Sequence, residues 1–239
     1  MQDISCLVSE SLLMTTGTKL WVDYVHPIPQ NVPMVVVSNH RSFLDAAILI
    51  KALNHPVRVA CHHYMGELPL LRDMINLLGC VPLDASGSGQ HHFLQQAHQI
   101  LQSQQWIGIF PEGGQPMVKL TLPGEITKFQ RGFAHLALSA PVTRLAVLPV
   151  AIVSREENVI YPFPISWLHY VDPSEPLFNQ PGWHPVAIYK HVKVLIGHPY
   201  WITSDHKQQY QGKQARKVIR KLTEYCQQEI TQLLSQGMS

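Results

Sequence analysis

Asn39-His40 and Asp45 lie on either side of Arg41-Ser42-Phe43-Leu44, directly after the apolar run Pro33-Met34-Val35-Val36-Val37 and directly before Ala46-Ala47-Ile48-Leu49-Ile50. A polar knot between two apolar segments, with a histidine and an aspartate five positions apart, is where a general base and the carboxylate that orients it sit at the end of a strand. The spacing alone says little: with 14 His among 239 residues, about 0.4 such pairs arise by chance. Asp45 on its own reads as a capping carboxylate at a helix N-terminus, and His40 as a loop histidine bonded to a carbonyl. A second stretch changes the balance. Phe110-Pro111-Glu112-Gly113-Gly114 follows the apolar Trp106 to Ile109, and a tetrapeptide such as Phe-Pro-Glu-Gly arises on the order of once in a thousand chains of this length. It reads as a strand end running into a tight glycine turn, or more simply as a corner shaped by its proline and glycines.

Further blocks follow in order. Gly79-Cys80-Val81-Pro82-Leu83-Asp84 is followed by Ala85, the third block by Gly114-Gln115-Pro116, and a fourth is the apolar Val147-Leu148-Pro149-Val150-Ala151-Ile152. Phe129-Gln130-Arg131-Gly132 lies between the third and fourth blocks, and Ile196-Gly197-His198-Pro199 comes late. With Asn39, His40 and Asp45, this series resembles the lysophospholipid acyltransferase family, typified by bacterial 1-acylglycerol-3-phosphate acyltransferases, over about Pro33 to Trp201. The resemblance implies His40 as base and Asp45 as its orienter. It puts Asn39, Glu112, Gly113, Gly114 and Arg131 on the substrate side. Ala85 and Gln115 depart from it, standing where the family tends to carry arginine. A phosphate-bearing acceptor wants fixed cationic forks, which leaves Lys119, Lys128 and above all Arg131 to meet it.

The chemistry fits these residues. Moving an acyl chain from a thioester to an alcohol requires deprotonating the hydroxyl as it attacks, and a histidine with an ordinary pKa near 6.5 suits that near neutral pH. The acceptor hydroxyl is the nucleophile, so none is needed from the protein. Ser86-Gly87-Ser88-Gly89 does not match a Gly-x-Ser-x-Gly elbow, which counts against a serine hydrolase.

The elements that position these residues read as a largely parallel α/β sheet. Met34 to Val37 is a buried strand, followed by a helix to about Leu53 whose start matches a capping box, Ser42 with Asp45. Further strands are expected at Val57 to Cys61, Cys80 to Leu83, Trp106 to Phe110, Leu145 to Ile152 and Val192 to Ile196. Helices are expected at Leu68 to Leu78, Gly89 to Gln105, Arg131 to Ser139 and His206 to Gln236. Ile4 to about Tyr24 reads as one or two short amphipathic helices, and Tyr161 to Pro185, with six prolines, as an irregular excursion. The expected organisation is one domain with a mostly parallel central sheet flanked by helices. Residues 1–32 form an N-terminal helical segment that contacts a membrane or the core, residues 33–201 the acyltransferase core, and residues 202–239 a basic amphipathic helix packed on it.

Only 14% of residues are charged, against about 25% in an average soluble domain, which hints at contact with lipid or a partner. A net charge of +2 with no aromatic-interleaved basic patch gives no nucleic-acid signature. Cys6, Cys61, Cys80 and Cys226 are scattered, with no zinc or disulfide pattern. His62-His63 and His91-His92 point apart in either strand or helix, so no metal site is expected. No secretory signal and no apolar run of 18 residues is visible. The expectation is a cytoplasmic, membrane-associated acyltransferase with acyl-ACP or acyl-CoA as co-substrate, a lysophospholipid as acceptor and no other cofactor. The alternatives are another lysophospholipid or a neutral alcohol as acceptor, a non-catalytic lipid-binding module, and a thioester hydrolase.

Overall fold

A computed structural model describes residues 3–62, 69–83, 87–173 and 175–238. Its strands are β1 Lys19–Tyr24, β2 Met34–Ser38, β3 Val57–His62, β4 Val81–Leu83, β5 Trp106–Ile109, β6 Leu145–Ile160, β7 Val186–Ile196 and β8 Tyr200–Ile202. They form one sheet in the order β1-β7-β6-β2-β5-β3-β4, with β8 paired to β6. All of β2 is buried; a β-branched run with no polar alternate needs apolar cover on both faces, and the centre of a parallel sheet supplies it. From β6 to β4 every pairing is parallel, whereas β7 and β8 run antiparallel to β6.

The helices are α1 Ile4–Thr15, α2 Asp45–Leu53, α3 Pro69–Leu78, α4 Gly87–Gln102, α5 Gln115–Val118, α6 Gly132–Ser139, α7 Ser166–Val171, α8 Ser204–Gln211 and α9 Ala215–Met238. Strand alternation splits the core in two. Val35, Val37, Ile107 and Val147 point to one face with Leu101, Phe133, Leu136 and Leu222 from α4, α6 and α9. Met34, Val36, Val150 and Val194 point to the other with Leu13, Ile48, Leu49 and Leu78 from α1, α2 and α3. The result is a single α/β domain, with helical layers on both faces of a mostly parallel sheet.

Several expectations change. The second half of the N-terminal segment is a strand: β1 pairs in parallel with β7 from Lys19↔His191 to Tyr24↔Ile196, turning Leu20 and Val22 inward. Residues 1–32 are therefore not all helical, and β1 belongs to the central sheet. The expected single C-terminal helix is two, α8 and α9, separated at Gly212, where the lowest helix propensity short of proline interrupts the run. β6 and β7 outrun their apolar cores to form a long antiparallel ladder, irregular between Ser154 and Glu157. The proline-rich excursion contains α7 and a 3-10 helix, Pro176–Asn179, closed over a small core of Val118, Ile165, Leu168 and Phe178.

Candidate active site

Two motifs meet because two adjacent parallel strands end together. β2 and β5 pair up to Val37↔Ile109, so Asn39-His40 and Phe110-Pro111 emerge side by side at the carboxyl edge of the sheet, where open α/β sheets form ligand crevices. The His40 ring stacks on Phe110, with centroids 4.3 Å apart and planes within 10°.

Asp45 opens α2 and is fully buried. Its Oδ2 accepts from His40 Nδ1 at 2.8 Å, Arg41 N at 2.6 Å and Ser42 N at 2.9 Å. Oδ1 accepts from the Tyr189 hydroxyl at 2.8 Å. A buried carboxylate is tolerable only when its lone pairs are taken up this way. Since Asp45 is surrounded by donors, Nδ1 of His40 carries the proton towards it, a tautomer assigned from the network. Nε2 of His40 has no protein partner among the described residues, and the side chain remains 18% exposed. The expected capping box is half-formed. Asp45 receives the Ser42 amide, but the Ser42 hydroxyl donates to Ala187 O at 2.6 Å, and the residue flanking the helix is Leu44.

The rest of the His40 loop is tied down. The Asn39 side chain bonds both backbone groups of Ile152, accepting from N at 2.8 Å and donating to O at 2.9 Å, so it continues the β2–β6 ladder past its last backbone pair. Arg41 forks onto Glu157, Nε to Oε2 at 2.8 Å and Nη2 to Oε1 at 2.5 Å, and donates to Thr121 O at 2.6 Å. Ser154 Oγ adds a bond to Glu157 Oε2 at 2.6 Å. Burial alone would raise the Glu157 carboxyl, but bonds from Arg41 and Ser154 outweigh it and hold the group below its ordinary value. Burial of Arg41 is likewise overcome by Glu157, which keeps the guanidinium above its ordinary value.

Glu112 is nearly fully buried. Its Oε1 accepts from His40 N at 3.0 Å and its Oε2 from Thr127 N and Oγ1 at 2.5 and 2.9 Å. It therefore braces the histidine loop against residues 121–131 instead of opening towards a ligand. Gly113 adopts φ +70, a conformation that favours glycine, and its N–H is taken by Phe110 O at 3.1 Å. The Gly113 amide, expected on the substrate side, is therefore already taken by the turn. The N–H of Gly114 has no partner among the described residues. Gln130 N bonds Pro111 O at 2.8 Å, which brings the exposed Lys128 and Arg131 up beside the second motif. Arg131 flanks α6 and has no ion pair among the described residues.

Asp84 and Ala85 of the second block, with His63 and Ser86, lie outside the described residues. Tyr189, Arg41 and Glu157 were not singled out from sequence. For Tyr189 the signal is an inward position in β7, where a buried phenol needs an acceptor.

The sequence model of a family described as Acyltransferase matches residues 21–153. N-acylphosphatidylethanolamine synthase of Arabidopsis thaliana is 26% identical over 187 residues, 74% of this chain and 59% of that protein. Probable 1-acyl-sn-glycerol-3-phosphate acyltransferases are 32% identical in Mycoplasma pneumoniae, covering 52% of this chain and 47% of that protein, and 29% identical in Mycoplasma genitalium, covering 51% and 44%. The chain thus spans about half the length of these curated relatives. The crystal structure of PlsC, the 1-acyl-sn-glycerophosphate acyltransferase of Thermotoga maritima, superposes with a TM-score of 0.62 at 16% identity, covering 97% of this chain and 77% of that one; it shares the fold.

Proposed function

The chain belongs to the acyltransferase family, and from that premise we propose that it transfers a fatty acyl group from acyl-ACP or acyl-CoA to the free hydroxyl of a lysoglycerolipid, 1-acylglycerol-3-phosphate first among them. One observation carries the reading: His40 Nδ1 is held by Asp45 at 2.8 Å while Nε2 has no partner among the described residues. Nε2 takes the proton of the acceptor hydroxyl as its oxygen attacks the thioester carbonyl. Asp45 keeps the ring oriented and stabilises the imidazolium. When the tetrahedral intermediate collapses, the carbon–sulfur bond breaks and the thiol leaves with the proton from Nε2. Gly114 N–H is the donor that the glycine turn leaves for the developing oxyanion. Asn39, Arg41, Ser42 and Glu112 act by holding the loop.

His40→Ala removes the base, and transfer to lysolipids should fall by about a hundredfold or more; product masses resolved after incubation with each donor measure it. Transfer close to that of the unmodified chain would end this mechanism. Free acid released without acceptor would point to a thioester hydrolase, and lipid binding without turnover to a binding module.

A second reading of the acceptor has its own support. Gln115 stands where the family tends to carry arginine, Arg41 is spent on Glu157, and a relative matching 74% of the chain is named for an N-acylated phosphatidylethanolamine. A panel of lysophosphatidic acid, an uncharged monoacylglycerol and phosphatidylethanolamine decides it. Loss of transfer to the phosphate acceptor alone in Arg131→Gln would support the first reading.

A further inference from the structure

We propose that the excursion between β6 and β7, residues 161–185, is the surface by which the protein lies on a zwitterionic lipid bilayer, with Tyr161, Trp167, Tyr170 and Trp183 in the headgroup layer. The proposal rests on the acyl-transfer reading, since a membrane-resident acceptor is what such a surface would serve. These four side chains are 58%, 61%, 85% and 56% exposed, a concentration of large aromatics that soluble surfaces rarely show. The exposure does not come from an unpacked loop. Beneath them Ile165, Leu168 and Phe178 are buried in a core of their own. Pro164 bridges to Trp183, and Phe163 stacks between Trp167 and His184. Trp167 and Tyr170, three apart on α7, therefore project from a fixed base. Tyr161 and Trp183 line an open hollow of about 500 Å³.

The chemistry of the surface selects the partner. Trp and Tyr combine an apolar body with a polar tip, which suits the layer between water and acyl chains. From Glu156 to Tyr189 there is no Lys or Arg. The acids of that stretch are paired or buried: Glu157 is bound to Arg41, Asp172 is buried, Glu175 meets His62 at 2.9 Å and Glu156 meets Lys190 at 3.1 Å. An uncharged aromatic face matches a lipid surface without net charge. The exposed cations of α9, Arg216, Lys217, Arg220 and Lys221, stand elsewhere. They follow α8, which bonds Ala140 through Lys207 and succeeds β8 at the start of β6, the edge opposite His40.

Position completes the case. The excursion leaves β6 just beyond Glu157 and rejoins β7 just before Ala187 and Tyr189, all three bonded to the catalytic loop. Leu177 comes within 3.4 Å of the place a Cβ on Gly114 would occupy. A bilayer under the aromatic face would put its acceptors beside His40. No helix among the described residues is long and apolar enough to cross a membrane, so attachment through a surface is the mode the described structure offers.

The test is co-sedimentation of the full chain with phosphatidylcholine vesicles at low and high salt, alongside Trp167→Ala/Tyr170→Ala/Trp183→Ala and Lys217→Gln/Arg220→Gln. We expect binding that survives high salt, falls at least about tenfold in the aromatic triple variant, and is unchanged in the α9 variant. Acyl transfer should drop for acceptor embedded in vesicles and hold for a short-chain acceptor in solution. Should the triple variant melt early, Tyr170→Ser, at the most exposed position, takes its place with a smaller loss expected. Absent binding to neutral vesicles, binding removed by salt or by the α9 changes, or aromatic variants that bind normally would each overturn the proposal. So would a dimer in sedimentation that only the aromatic changes dissolve, which would assign the face to a second copy. Vesicle binding as expected with no transfer to any acceptor would leave the surface standing and remove the enzymatic reading instead.

Discussion

Tyr189 donates to the one oxygen of Asp45 that His40 does not use, from a strand 144 residues away in sequence. Replacing it with phenylalanine leaves that oxygen buried without its donor, which costs about 1–3 kcal/mol. For a domain of this size that corresponds to a fall of about 2–12 °C in melting temperature. The effect on rate separates support from mere packing. A carboxylate free to tilt no longer fixes the imidazole, so kcat should fall about tenfold while KM for the acceptor stays put. An unchanged kcat in a destabilised variant would mean that the backbone donors of Arg41 and Ser42 suffice to aim Asp45. Burial first, then the charge of Asp45, raises the Tyr189 hydroxyl well above its ordinary value. It therefore remains a donor throughout the working range, and the pH–rate profile should carry no limb that Tyr189→Phe removes.

The hairpin of β6 and β7 carries most of what holds the His40 loop: Ile152 for Asn39, Glu157 for Arg41, Ala187 for Ser42 and Tyr189 for Asp45. Strict alternation would turn Ser154 and Glu157, three apart, to opposite faces. The two register shifts between them offset one another, a bulge-like irregularity that breaks the alternation, and across it Ser154 Oγ reaches Glu157 Oε2. The pH dependence of stability reports this arrangement. Since the Glu157 pKa is depressed from 4.5, its stabilising contribution is complete above that value and is lost as pH falls through the lower, folded value. Glu157→Gln should thus be less stable than the parent at neutral pH, and the gap should close with acidification below about 4.5. Denaturant melts from neutral pH to pH 3 measure it; a gap constant with pH would deny the carboxylate that role. The same bulge explains what could be read in advance. β2, β5 and the two motifs were legible because continuous apolar runs ending in polar knots need no tertiary information. Glu157 was not, because a period of two places it outside. β1 was hidden because Leu20 and Val22 alternate in a segment short enough to pass for the end of a helix. Glu112 was legible as important, but its burial against Thr127 and the His40 amide exists only once the loops meet.

Taken as a whole, the molecule binds its N-terminal segment into the machinery instead of leaving it as an appendage. α1 packs on α2, the helix that Asp45 opens, and Glu10 meets Lys51 at 3.1 Å. β1 extends the sheet beyond β7, the strand of Tyr189, and Thr18 Oγ1 donates to Tyr189 O at 2.9 Å. Both elements that orient Asp45 therefore lean on residues before Val25. Two roles for this segment, membrane contact and structural support, predict different outcomes of removing residues 1–24. Were it a membrane contact, the shortened chain would keep its melting temperature and its transfer to a short-chain acceptor in solution, losing only vesicle-bound activity. The packing predicts otherwise. Removal uncovers the edge of β7 and the α1-facing side of α2, exposing Leu13's neighbours among the buried apolar side chains at about 25 cal/mol per Å², a large share of a marginal stability of about 5–15 kcal/mol. The shortened chain should melt at least about 10 °C lower and lose transfer to the soluble acceptor in proportion. Retained stability together with retained soluble activity would return the segment to the membrane and leave Asp45 anchored from β7 alone.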